Sequence, residues 1–160
     1  RLIRGHRAMP RSIAIASDHA AYALKAGLVE WLHAEGHAVQ DLGTNGPDSV
    51  DYPDFGYRLA EAVAKGDAPV GIALCGSGIG ISIAVNRNPA CRCALVDEPL
   101  SAELARRHND ANVIAMGGRL VGLDMAKACV TAFLTTEFEG DRHQRRIDKL
   151  THPSSAKEPA

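Results

Sequence analysis

Five short apolar runs recur along the 160 residues, and stretches of amphipathic, helical length separate them. This alternation predicts an α/β fold, a single three-layer sandwich around a five-stranded parallel sheet. Short apolar runs bounded by turn residues suit strands buried on both faces. Strands that alternate with helices imply right-handed βαβ units, which place helices on both faces of the sheet. A hydrophobic share of 46% against a charged share of 23% is ordinary globular composition. The expected form is a Rossmann-like, doubly wound sheet in strand order 2-1-3-4-5, closed by a basic C-terminal helix.

Ser-Ile-Ala-Ile-Ala-Ser at 12–17 is the first strand. A helix over 21–35 follows, with Leu24, Leu28, Trp31 and Leu32 on one face and Gly36 stopping it. Residues 38–42 form a weaker strand, and 43–53, rich in Gly, Pro and Asn, a loop. Pro53 suits the first turn of a second helix that reaches Lys65, with Phe55, Leu59 and Val63 inward. Residues 70–75 make the clearest buried strand, followed by the glycine-rich 76–80 and a helix to Asn86. The fourth strand is 93–96, and Pro99 opens a helix to Arg107. The fifth strand is 113–116, the fifth helix 123–135 and the basic helix 142–150. Residues 1–11 are basic but lack an apolar segment, so they read as an N-terminal extension and not a secretory signal. Residues 12–150 form the one domain, and 151–160, rich in Pro, Ser and Ala, read as a disordered tail.

Lys+Arg 18 against Asp+Glu 19 leaves a net charge of -1, which supplies no footprint for nucleic acid or an anionic membrane. No run approaches the length needed to span a bilayer. Cys75, Cys91, Cys93 and Cys129 form no CxxC pair and no metal-ligand spacing with histidine. Reduced thiols in a cytoplasmic protein are therefore expected, with neither a disulfide frame nor a metal site. Cys91, Cys93 and Cys129 read as core, and His33 and His37 as solvated.

In doubly wound sheets the ligand sits beyond the carboxyl ends of the strands, at the switch point between strands 1 and 3. That rule brings Asp18 and His19 together with Cys75 and the loop Gly76, Ser77, Gly78, Ile79, Gly80. Three glycines at a strand-to-helix turn let the backbone aim several N–H groups at one point, where the helix end adds positive potential. The loop is thus a candidate anion hole, or else only a tight turn. Its spacing departs from the known phosphate loops. No Lys follows it, position 81 is Ile where a cysteine phosphatase needs Arg, and the third glycine comes one residue early for a dinucleotide fingerprint. Asp97 imitates the ribose-binding acid of that fingerprint, so a nucleotide-binding module remains the alternative from another class. Cys75 borders a helix N-terminus, which favours a thiolate able to act as base or nucleophile; an inert buried cysteine is the other reading. Asp18 is a candidate ligand or merely a helix cap. His108 and Asn109 open a dense polar run before strand 5, either a loop or part of a site. Arg142 and Arg146 stand at i and i+4, one helical face suited to phosphate or simply solvated. In a neutral protein this local cluster suits a small phosphorylated ligand better than a polymer.

The segments 17–20 (SDHA), 51–53 (DYP), 75–87 (CGSGIGISIAVNR), 106–113 (RRHNDANV), 117–122 (GGRLVG) and 140–148 (GDRHQRRID) together resemble ribose-5-phosphate isomerase type B. The resemblance runs in order from about residue 12 to 150. It implies an aldose–ketose isomerase that converts ribose 5-phosphate to ribulose 5-phosphate without metal or other cofactor, assembled as a homodimer or tetramer. It implies Cys75 as the base between C1 and C2, His108 as the ring-opening acid/base, and Ser77 in the catalytic group, where many members have Thr. Asp18 and His19 would contact sugar and phosphate, Tyr52 would line the pocket, and Gly76, Gly78, Ile79 and Gly80 would complete the anion hole. Asn109, Arg119, Arg142 and Arg146 would be the remaining substrate ligands. Related members act on allose or galactose 6-phosphate, so a six-carbon substrate stays open. Sheet polarity adds one expectation. Cys75 follows its strand while His108 and Asn109 precede theirs, which sets them on opposite edges of the sheet, about 17 Å apart at roughly 3.3 Å per residue. One pocket holding both needs a two-fold dimer in which His108 and Asn109 complete the partner's site.

Overall fold

The computed structural model describes residues 8–155. Five strands, β1 (Ser12–Ser17), β2 (Ala38–Asp41), β3 (Val70–Cys75), β4 (Cys93–Leu95) and β5 (Val113–Gly117), alternate with α1 (Tyr22–Ala34), α2 (Tyr52–Ala64), α3 (Ile79–Asn86), α4 (Pro99–Asn109) and α5 (Leu123–Thr135), and α6 (Arg142–Thr151) follows. The paired strands are parallel and lie in the order β2-β1-β3-β5-β4. The three-layer class is as expected, but the last two strands exchange places relative to 2-1-3-4-5. Burial explains the exchange. Every residue of β5 is buried, whereas the three residues of β4 are half-buried or exposed. A strand apolar throughout fits the sheet interior, and a short, partly exposed one fits its edge.

The two faces of the sheet carry different side chains. Ile13, Ile15, Ile72, Leu74, Ile114 and Met116 pack with Leu28 and Leu32 of α1, Ala105 of α4 and Phe133 of α5. On the other face, Ala14, Ala16, Ala73 and Ala115 meet Phe55 and Leu59 of α2 and Ile81 and Val85 of α3. Alternation along each strand, large to one side and small to the other, sets these two layers.

Helix ends decide where polar groups stand. Glu98 caps α4, accepting from the N–H groups of Leu100 and Ser101 at 2.6 and 2.7 Å. A further bond from the Ser101 hydroxyl holds its carboxyl below the usual range. The helix continues to Asn109, so His108 and Asn109 belong to its last turn and not to a loop. Lys25 of α1 is buried, with Nζ 2.7 Å from both carboxylate oxygens of Asp41 and 3.2 Å from Asn45 Oδ1. His37, expected in solvent, is buried, and its Nδ1 accepts from Arg11 N–H at 3.1 Å. Toward the C-terminus α6 reaches Thr151 and a 3₁₀ turn spans Pro153–Ser155, both inside the segment expected as tail. Of the expected terminal segments, residues 1–7 and 156–160 lie outside the described residues. Among the described residues no helix is long and apolar enough to cross a membrane.

Candidate active site

At the carboxyl edge of the sheet, a cleft of about 640 Å³ opens over β1 and β3. Asp18, His19, Tyr52, Cys75, Gly76, Ser77, Ile79, Gly80 and Arg119 line it. Nine of the residues expected from the sequence thus line one cleft, beyond the carboxyl ends of β1 and β3 where the switch-point rule points.

Strand β3 ends at Cys75, which is 3% exposed. The chain then turns through Gly78 at φ +78, a left-handed conformation that favours glycine. A Cβ at Gly78 would also lie 2.7 Å from the Met116 carbonyl carbon, so space and backbone both require glycine. This turn brings the Gly78 N–H back onto Cys75 Sγ at 3.1 Å. One residue on, the Ile79 N–H donates to Ser77 Oγ at 3.2 Å. Two of the loop's donors thus serve side chains of the loop itself, fewer remain for a bound anion than the glycine count implied, and one of them supports the thiol.

The other walls are pinned by backbone bonds. Asp18 Oδ1 accepts from the Ala20 and Ala21 N–H groups at 3.0 and 3.2 Å, so this residue does cap the 3₁₀ turn His19–Ala21 while also lining the cleft. The Val50 N–H donates to His19 Nδ1 at 3.1 Å, which leaves Nε2 as the ring's donor in the neutral tautomer. The loop that supplies Val50 is itself tied to β1 by Ser17 N–H to Gly43 O and Thr44 N–H to Ser17 O, each 2.7 Å. Gly118 N–H to Cys75 O and Arg119 N–H to Gly76 O, at 2.8 and 3.0 Å, lay the turn after β5 along the glycine loop. Arg119 consequently covers Gly76, where a Cβ would meet Nη1 at 3.3 Å. Tyr52 packs on Gly80, whose missing Cβ would sit 2.5 Å from the ring.

His108, Asn109, Arg142 and Arg146 do not line this cleft. Cys75 pairs with Gly117 and Gly71 with Val113, and His108 and Asn109 precede Val113 at the far edge. Those four residue steps alone span about 13 Å at roughly 3.3 Å per residue. Asn109 instead borders a second cavity of about 440 Å³ with Asn86, Cys91, Arg92 and Cys93. The His108 ring stacks on His143 of α6, with centroids 4.5 Å apart and planes 15° from parallel. His143 is buried; burial and then the Arg142 guanidinium hold its pKa below the ordinary histidine value. Arg142 and Arg146 are exposed on α6.

Sequence reading missed Lys25, Asp110, Glu139 and His143. Lys25 carried a signal, since Lys25, Leu28 and Leu32 fall at i, i+3 and i+7 on the buried face of α1. Asp110 and His143 also meet Arg92 and His108, far away in sequence, which periodicity does not report, while the Arg106–Asp110 and Glu139–His143 contacts are only four residues apart. Cys91 and Cys129 are core as expected, while Cys93 is only half-buried.

The family described as Ribose/Galactose Isomerase matches residues 13–150. The chain is 44% identical over 141 residues to ribose-5-phosphate isomerase B of Escherichia coli, covering 88% of this chain and 95% of that one. A putative sugar phosphate isomerase of Bacillus subtilis is 42% identical over 140 residues, 87% of this chain and 94% of its own. Among solved structures, ribose-5-phosphate isomerase B of Clostridium thermocellum superposes with a TM-score of 0.88 at 46% identity, covering 89% of this chain and 97% of that one. The Thermotoga maritima enzyme gives 0.87 at 46% identity over 88% and 97%. On the strength of these matches, the chain belongs to the ribose/galactose isomerase family.

Proposed function

We propose that the protein interconverts ribose 5-phosphate and ribulose 5-phosphate through an enediolate, with Cys75 as the base. The observation that carries this reading is the Cys75 sulfur at the floor of the cleft, accepting the Gly78 N–H at 3.1 Å. The thiolate is the form of a cysteine that removes a proton. Cys75 takes the C2 proton of the open-chain aldose and returns it to C1, while the O2 hydroxyl proton passes to O1, so that C2 becomes the carbonyl and negative charge develops on these two oxygens on the way. Donors fixed before the reaction lower the energy of that charge most. Ser77 fits the role, because its Oγ accepts from Ile79 and its own O–H stays available to donate. Asp18 has Oδ2 to accept a sugar hydroxyl, and His19, Asn109, Arg119, Arg142 and Arg146 bind the phosphate end and the chain of the sugar.

Ring opening is assigned to His108, and the reading therefore needs a homodimer with shared sites. Ile79, Ile83 and Leu120 line the cleft yet are 52%, 53% and 71% exposed. Leu95 stands beside Ile79 and Leu120 at 46%. Contiguous large apolar side chains at the mouth of a polar cleft mark a surface for a partner. A second copy seated there brings its His108, Asn109, Arg142 and Arg146 to the cleft.

The test is a substrate panel combined with Cys75→Ala. Ribose 5-phosphate should be turned over in preference to allose and galactose 6-phosphates, and a preference for either hexose would move the assignment to six-carbon sugars. Cys75→Ala should still bind ribulose 5-phosphate but lose exchange of its C1 proton with solvent. Wild-type exchange in that variant would remove Cys75 as the base. Nucleotide binding with no sugar turnover would replace the whole reading with a binding module.

A further inference from the structure

The stacked His108–His143 pair has a third neighbour. A ring nitrogen of each histidine and a carboxylate oxygen of Glu139 lie within 4.8 Å of one another. Glu139 is held beside the end of α4, because its N–H donates to the carbonyl of Arg107, the residue before His108. His143 sits in the first turn of α6, tied back by its N–H to Gly140 O at 3.1 Å. Its Nε2 is fully buried and has no hydrogen-bond partner among the described residues, and it lies 3.7 Å from Glu139 Oε2. A buried imidazole nitrogen left without a partner is uncommon and calls for an occupant.

We propose that His108, Glu139 and His143 form a binding site for a borderline divalent transition ion of the Zn²⁺ type, and that its occupation withdraws His108 from the sugar site. Two imidazoles and one carboxylate are the ligand set of open zinc sites, with a fourth position for water. Ca²⁺ and Mg²⁺ take oxygen ligands and fit poorly. Zinc holds such ligands at about 2.0–2.2 Å, hence about 3.4 Å from one another, so the present cluster must contract. His143 is fixed by burial; Glu139 is exposed and His108 half-exposed, so these two can move. In the stack the two ring planes are nearly parallel and their lone pairs do not converge. Chelation therefore turns the His108 ring out of the stack. The metal inhibits by that movement. The binding half of the proposal stands on geometry alone, and the inhibitory half rests on the assignment of His108 to ring opening.

The experiment uses Co²⁺ as a spectroscopic probe and then Zn²⁺, on the full chain after dialysis against a chelator. The expected result is one Co²⁺ per chain, with visible d–d bands and no near-ultraviolet thiolate-to-cobalt band. Loss of even an outer-shell partner weakens metal affinity about 10–100-fold, so Glu139→Gln and His143→Gln should each raise the Co²⁺ midpoint at least about tenfold. Glu139 is exposed, so its variant tests the site even if His143→Gln folds poorly. Zn²⁺ should suppress turnover of the wild type in step with occupancy, and need correspondingly higher concentrations in Glu139→Gln. Unchanged midpoints, or a thiolate band that vanishes in Cys75→Ala, would overturn the site while leaving the isomerase reading intact. Binding at the site with undiminished turnover would overturn the inhibitory half and the role given to His108.

Discussion

Arg106 and Asp110 form an ion pair at 2.8 Å across the last turn of α4, and the turn they close carries His108 and Asn109. Asp110 sits at φ 44, the left-handed residue that ends the helix. Arg92 reaches the same point from the other side, donating to the carbonyls of Asn109 and Asp110 at 3.0 Å and lying 3.3 Å from Asp110 Oδ2. Two guanidinium groups on one carboxylate fix where the helix stops, and so fix the direction of the histidine two residues earlier.

Asp110→Asn tests this positioning, because asparagine tolerates the left-handed backbone while the charge is lost. Ribulose 5-phosphate cannot close a five-membered ring through its phosphorylated oxygen, so with Cys75 as the proposed base, solvent exchange of its C1 proton needs no ring opening. Turnover of ribose 5-phosphate should fall about 10–100-fold, the cost of a misplaced catalytic group, while exchange stays near wild type. Equal loss of both would show that Asp110 supports the whole assembly and not His108 in particular.

The exposed arginines give a different signature. Arg142 and Arg146 stand one turn apart on α6, where they can bind a phosphate far from the reacting carbons. Arg142→Ala and Arg146→Ala should raise KM about 10–150-fold with smaller changes in kcat, as charge-assisted bonds of about 1.5–3 kcal/mol are lost. Added salt should weaken binding less in the variants than in the wild type. Unchanged KM in both would take the phosphate away from α6.

The four thiols should differ sharply in reactivity. Burial pushes the Cys129 thiol up to about 11, and burial also raises Cys91 and Cys93. A raised thiol pKa keeps the protonated, unreactive form below that pKa, so at pH 8 these three remain thiols. Cys75 lines an open cleft, and a small alkylating reagent at pH 8 should label it first in the native protein, with ribose 5-phosphate protecting. Peptide mapping that finds Cys129 or Cys91 labelled as fast as Cys75 would contradict the assignment of these thiols.

What was legible in the sequence follows from the range of each interaction. The strands, the glycine loop and the Asp18–Cys75 meeting are set by local pattern and by one topological rule, and both survive in the structure. The β4–β5 exchange was not legible, because the pattern locates strands without ranking them. Only the contrast between Cys-Ala-Leu and the fully buried Val-Ile-Ala-Met-Gly pointed to an edge and a centre. Lys25 was hidden by its charge, although Asp41 and Asn45 satisfy it in the fold. The grip of Arg92 and Arg106 on Asp110, and the His108–His143 stack, join segments 18 to 35 residues apart apart from the pair within α4.

Sheet polarity yields the last prediction. Cys75 and His108 lie toward opposite edges of the sheet in one chain, since β3 and β5 are parallel and Cys75 pairs with Gly117 at the far end of β5 from Val113. The exchange of β4 and β5 leaves this polarity untouched, because it changes which strand neighbours β3 and not its direction. If His108 acts in the cleft of the partner, two inactive variants can repair one another. Cys75→Ala and His108→Ala chains, unfolded and refolded together in equal amounts, should pair at random, so that about half the dimers are mixed. Each mixed dimer pairs one chain with an intact Cys75 and one with an intact His108, which rebuilds one working site of two. Roughly a quarter of wild-type activity should return. A mixture that stays at the average of its parents, with subunit exchange confirmed by differently tagged chains, would show that His108 serves its own chain, and α4 would then have to move a long way to reach Cys75.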